Sequence, residues 1–121
     1  MKVLIVEDEK ALNLVVKEEL QSNKFDVRVA EDGEEALKLA RSFNPELILL
    51  DLILPKKSGL QVLEELKADD NLKKIPVIVL SNLAEDENIK KAISIGAEDY
   101  FVKTQHSIYE VIEKVQKYLK K

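Results

Sequence analysis

Hydrophobic positions along the chain follow two alternating patterns. Short apolar runs, VLIV (Val3 to Val6), FDVRVA (Phe25 to Ala30), LILL (Leu47 to Leu50), VIVL (Val77 to Leu80) and YFV (Tyr100 to Val102), each predict a strand. Between and after these runs the apolar residues space out at helical intervals. The clearest case is Ile108, Val111, Ile112, Val115 and Leu119, and Leu12, Val15, Val16 and Leu20 repeat it near the start. A polar N-cap residue followed three positions later by Glu or Gln predicts helix starts at Asp32 with Glu35, Ser58 with Gln61 and Ser107 with Glu110. Gly96 predicts the end of a fourth helix, which carries Ile89, Ala92, Ile93 and Ile95.

Five strands alternating with five helices predict an α/β fold, its parallel strands joined by right-handed crossovers. A strand buried on both faces is continuously apolar, as the first, third and fourth are, which places them centrally. FDVRVA instead alternates Phe25, Val27 and Val29 with Asp26 and Arg28, as an edge strand does. The pattern matches a five-stranded parallel sheet in the doubly wound, flavodoxin-like order 2-1-3-4-5. Its ligand crevice opens at the carboxyl ends of strands one and three. With no internal repeat and no low-complexity linker, residues 1–121 are expected to form one domain.

Composition narrows the function. The 121 residues are 45% hydrophobic, enough for a core that needs no covalent staple. The absence of cysteine excludes a disulfide scaffold and a thiolate metal site or nucleophile, and fits a reducing cytosol. There are 19 Lys+Arg against 23 Asp+Glu, a formal net charge of −4, so direct nucleic-acid binding is not expected. Three glycines argue against a glycine-rich nucleotide loop. No apolar run approaches the roughly 18 to 20 residues that span a bilayer, so neither signal peptide nor membrane anchor is expected, and the predicted location is cytoplasmic.

The residues leaving the carboxyl ends of the strands carry the candidate chemistry: Glu7, Asp8 and Glu9, then Asp51, then Ser81 and Asn82, then Lys103. Neighbouring strands lie roughly 4.8 Å apart, which brings Asp8 and Asp51 close enough to share one ion. Carboxylates so placed repel unless one is protonated or a cation is held. Oxygen-only ligands favour a hard ion, Mg²⁺ or Mn²⁺. Lys103 and the Ser81 hydroxyl complete an anion site, leaving Asp51 as the carboxylate that attacks phosphorus.

The segments IVEDE (Ile5 to Glu9), LLDLILPKKSG (Leu49 to Gly59), VLSN (Val79 to Asn82) and GAEDYFVK (Gly96 to Lys103), in this order, resemble the receiver domain of bacterial two-component response regulators, of the chemotaxis-regulator kind. The resemblance implies that Asp51 is the phosphoacceptor, that Glu7 and Asp8 are the acidic pair around Mg²⁺, and that the Ile53 carbonyl is a backbone metal ligand. It further assigns Ser81 and Lys103 to the phosphoryl group and Tyr100 to an aromatic switch. The implied donor is a phosphohistidine on a sensor histidine kinase or phosphotransfer protein, or a small acyl phosphate. The implied output is a downstream protein that reads the surface of the fourth helix, fifth strand and fifth helix. Such a domain is a regulatory phosphoacceptor rather than an enzyme. Thr104 stands where the family usually has proline. A cis bond there would cost roughly 2.5 to 4 kcal/mol, so the loop is expected to take another path.

Other readings exist. An aspartate-nucleophile phosphatase would carry a second acid two residues after the nucleophile, where this chain has Ile53. A flavin or nucleotide binder would offer amides and glycine after the first strand, where this chain offers carboxylates. A receiver-like scaffold that is never phosphorylated is the remaining alternative. Ile53 and Leu83 flank the expected phosphoryl group and cannot orient water, which predicts slow hydrolysis. Pro55 and Gly59 are expected to shape the loop after Asp51, and His106 to face solvent at a helix start. The Lys-rich tail (Lys114, Lys117, Lys120, Lys121) reads as a solvated face, and the chain as a stand-alone receiver or a fragment of something longer.

Overall fold

The computed structural model describes residues 1–119, so Lys120 and Lys121 of the Lys-rich tail lie outside the described residues. Ten elements alternate: β1 Lys2–Val6, α1 Lys10–Ser22, β2 Asp26–Ala30, α2 Gly33–Phe43, β3 Leu47–Leu50, α3 Gly59–Ala68, β4 Val77–Ser81, α4 Asp86–Ile95, β5 Asp99–Val102 and α5 Ile108–Leu119. All strand pairs are parallel, in the order β2-β1-β3-β4-β5, as the apolar pattern predicts.

Successive side chains of a strand face opposite ways, so each central strand feeds two cores. Leu4, Val6, Ile48, Leu50, Val77 and Val79 pack under α2, α3 and α4 with Leu37, Leu63 and Ala92. Val3, Ile5, Leu47, Leu49, Ile78 and Leu80 pack under α1 and α5 with Val16, Leu20, Val111 and Val115. Each of these valines, leucines and isoleucines contributes roughly 1.5 to 3 kcal/mol by leaving water. On the edge strand β2, Asp26 and Arg28 turn outward and approach each other at 3.6 Å, and Arg28 also lies over the Phe43 ring.

The three expected helix starts are present. Asp32 accepts from the Glu35 amide, and both Ser58 with Gln61 and Ser107 with Glu110 form reciprocal capping boxes. Gly96 ends α4 at φ 132°, a conformation that favours glycine, and the Ala97 amide closes the turn on the Ala92 carbonyl. On α1 the inward residues are Asn13, Val16 and Leu20, whereas Val15, expected on that face, is exposed. In α4 only Ala92 is fully buried and Ile93 is exposed, which explains its weak periodicity.

Two loops are held tightly. Lys56 sits at φ 67° between Pro55 and Lys57, whose carbonyl and amide close a three-residue turn at 2.7 Å. Gly59 lies against the backbone of Asp51 and Leu52, with its amide on the Leu52 carbonyl. The bond before Thr104 is trans, as expected for a residue other than proline.

Candidate functional site

The sheet register sets the site. Val6 lies level with Ala30 and Leu50, Leu50 with Val79, and Ser81 with Val102. Backbone bonding continues one residue beyond: the Glu7 amide donates to the Ala30 carbonyl, Asp51 to Val6 and Lys103 to Ser81. The strand ends therefore deliver Glu7, Asp51, Ser81 and Lys103 to one rim.

Glu7 and Asp51 are 4% and 6% exposed, whereas Asp8 is exposed. One carboxylate oxygen from each of Glu7, Asp8 and Asp51 lies within 4.8 Å of the other two. Lys103, its side chain 14% exposed, donates to the Glu7 carboxylate and lies 3.3 Å from Asp51 Oδ2. Burial pushes the Glu7 carboxyl up to about 7, against the hydrogen bond from Lys103 and with further help from the Asp51 charge. Burial also pulls the Lys103 ammonium down, but its carboxylate neighbours more than offset this and leave it above the ordinary value. A pit with three acids and one base still favours another cation. Its donors are all oxygen, and the set fits a hard divalent ion.

The loop after β3 is fixed by the Asp51 side chain: the Ile53 amide donates to Asp51 Oδ1 at 3.2 Å. Ile53 itself is 56% exposed. Ser81 is fully buried, its Oγ accepting from the Leu83 amide at 3.3 Å. Tyr100 is half-buried, and its hydroxyl donates to the Leu83 carbonyl at 2.6 Å. Burial raises its phenol above the ordinary value, against the neighbouring Ser81 hydroxyl. One loop residue, Leu83, thus joins the candidate phosphoryl contact to the aromatic side chain.

His106 lies just before the start of α5 with its side chain 36% exposed, as expected in part, and its other side is edge-on to Phe101 with ring centroids 5.1 Å apart while Nδ1 pairs with Glu110 at 3.1 Å. Asn13 was not legible as a site residue. Its Nδ2 donates to the Glu7 carbonyl at 2.7 Å from a buried position on α1. The available signal was its place three residues before Val16 and seven before Leu20, a polar residue on an apolar stripe.

Three carboxylates and a lysine thus gather at the switch point of a doubly wound sheet, the place where such folds bind their ligands. A family model for the response regulator receiver domain matches residues 3–116. The alkaline phosphatase synthesis transcriptional regulatory protein PhoP of Bacillus subtilis (strain 168) is 38% identical over 104 residues, 84% of this chain and 42% of PhoP. This chain therefore spans less than half of that relative's length. The Mn²⁺-bound form of response regulator Rcp1 superposes with a TM-score of 0.85 at 30% identity, over 95% of this chain and 91% of that one. The phosphorylated cyanobacterial phytochrome response regulator RcpA superposes with a TM-score of 0.87 at 34% identity, over 97% and 91%. The chain belongs to the response regulator receiver domain family, the regulatory phosphoacceptors of two-component signalling.

Proposed function

We propose that residues 1–121 form one receiver domain in which Asp51 accepts a phosphoryl group from a kinase or phosphotransfer-protein phosphohistidine, or from a small acyl phosphate. The observation that carries this reading is the convergence of Glu7, Asp8, Asp51 and Lys103 at one rim. An Asp51 oxygen forms the new O–P bond in line as the donor's bond to phosphorus breaks, and that electron pair leaves with the donor. The Ile53 amide orients the Asp51 carboxylate by holding Oδ1. Lys103 neutralises charge on the phosphoryl oxygens, and the Ser81 hydroxyl turns from Leu83 to donate to one of them. Glu7, Asp8 and Asp51, with the Ile53 carbonyl, would hold Mg²⁺ or Mn²⁺, whose positive charge lowers the barrier for an anionic donor meeting an anionic acceptor.

The test is incubation with acetyl phosphate, with Mg²⁺ or with EDTA, followed by peptide mass mapping. A phosphoryl gain on the Asp51 peptide that chelation prevents is expected. No gain under either condition would overturn the reading and leave a non-phosphorylated scaffold.

Movement of Ser81 breaks its contact with the Leu83 amide and so biases the Tyr100 tie to the same residue. That couples the acceptor to the surface of α4, β5 and α5, which a downstream protein reads. Tyr100→Ala is expected to make partner affinity insensitive to phosphorylation, as measured by titration of both forms. Equal responses in wild type and variant would remove Tyr100 from the switch. The formal charge of −4 favours a protein partner over direct nucleic-acid contact. A cytoplasmic location follows from the proposed kinase and output partners, and among the described residues no helix is long and apolar enough to cross a membrane.

Hydrolysis of the acyl phosphate needs a water oriented at phosphorus, and the Ile53 side chain offers it no hydrogen bond. Ile53→Asn is expected to shorten the phosphoryl half-life several-fold in a decay assay; an unchanged half-life would show that Ile53 does not shield the group.

A further inference from the structure

We propose that Asn13 is a positioning residue for the divalent-cation site: its side-chain amide clamps the Glu7 backbone and so fixes the turn that presents Glu7 and Asp8. This inference rests on the reading of those acids as cation ligands. Beyond β1, Glu7 is held on one side by its amide on the Ala30 carbonyl at 2.9 Å. Its own carbonyl continues no sheet ladder and instead receives Asn13 Nδ2 at 2.7 Å, in a buried contact spanning six residues. Only the amide nitrogen can donate to a carbonyl, so this contact also sets which way the Asn13 side chain faces. The Asn13 backbone amide bonds to the Glu9 carbonyl, and the Glu9 amide to Glu7 Oε2. Asn13 thus closes the Glu7 to Glu9 turn from the helix side, while the Glu7 carboxylate is left facing Lys103 and Asp51.

A second, independent observation shows what this clamp displaces. Asn13 is 7% exposed and occupies the inward stripe of α1 with Val16 and Leu20, a place suited to an apolar side chain. Its Oδ1 is buried and has no hydrogen-bond partner among the described residues. A buried acceptor left in that condition opposes folding. Leucine, of similar size and a better helix former, would satisfy the core at this position but could not hold Glu7. The combination of one good bond to the acidic turn and one orphaned acceptor is that of a residue serving the site rather than the core.

The test is Asn13→Leu, read by Mg²⁺ calorimetry on the full chain and by the thermal midpoint in EDTA. A midpoint equal to or above that of wild type, with the magnesium dissociation constant weakened about tenfold, supports the proposal. The rate deficit with acetyl phosphate should then shrink as magnesium is raised, a split between affinity and rate that a packing role would not give. Unchanged affinity in the folded variant overturns it. A midpoint well below wild type also overturns it, since Asn13 would then be supporting the core. Absence of magnesium uptake by the wild type would instead sink the reading of the acids as ligands, a failure that can be told apart because it appears before any substitution is made.

Discussion

Asp51→Asn is expected to abolish phosphoryl uptake from acetyl phosphate while raising the thermal midpoint in metal-free buffer. The first effect follows from chemistry. An amide oxygen is a poor nucleophile toward phosphorus, and the neighbouring acids point at the same pit without the Ile53 amide that aims Asp51. The second follows from charge. Asp51 is almost fully buried, and its carboxylate shares the pit with those of Glu7 and Asp8, one oxygen from each of the three lying within 4.8 Å of the others. Asparagine keeps the shape and can still accept from the Ile53 amide, but removes two repulsions at the loss of one attraction, that to Lys103. Lys103 keeps Glu7 as its partner. The net gain is on the order of 1 kcal/mol in a partly desolvated site. Mass spectrometry and a melting curve in EDTA check the two halves. Uptake that survives the substitution would place the acceptor elsewhere, and a lower midpoint would mean that the attraction to Lys103 outweighs the repulsion.

Gly59→Ala is expected to produce the largest loss of stability of any single methyl addition near the site. A Cβ there would sit 2.9 Å from the Asp51 carbonyl carbon, and closer still to its oxygen and to Leu52 Cα. These are backbone atoms, and Asp51 is tied to Val6 through its amide, so relief requires moving the end of β3. Overpacking against atoms that cannot yield costs about 3 kcal/mol or more. For a domain of this size that is a fall in midpoint of roughly 10 °C. Any relaxation also shifts the Asp51 carboxylate relative to Lys103, so the surviving folded fraction should take up phosphoryl more slowly. A midpoint within a degree or two of wild type would show that the loop yields freely.

The fold was legible because its strongest signals are local. Continuous apolar runs mark the buried strands, alternation marks β2, and three capping pairs mark helix starts. The strand order followed from which runs lacked polar residues. The acidic rim was legible for a related reason: in a parallel sheet, whatever follows each strand arrives at the same edge, so Glu7, Asp51, Ser81 and Lys103 can be grouped without coordinates. What escaped depends on contacts between distant segments. Val15 satisfies the helical spacing yet faces water, because α1 packs with Asn13 and Val16 inward. The fold of His106 over Phe101 needed the path of the turn after Lys103. Lys56 carries a positive φ with no glycine to announce it.

The alternation on β2 has a consequence for how the molecule behaves in a crowded solution. The outer rim of a sheet displays unpaired amides and carbonyls, a template on which a stray strand from another chain can grow. Here that rim carries Asp26 and Arg28, whose hydrated heads an incoming strand would have to strip of water. The pair thus opposes strand addition at this edge.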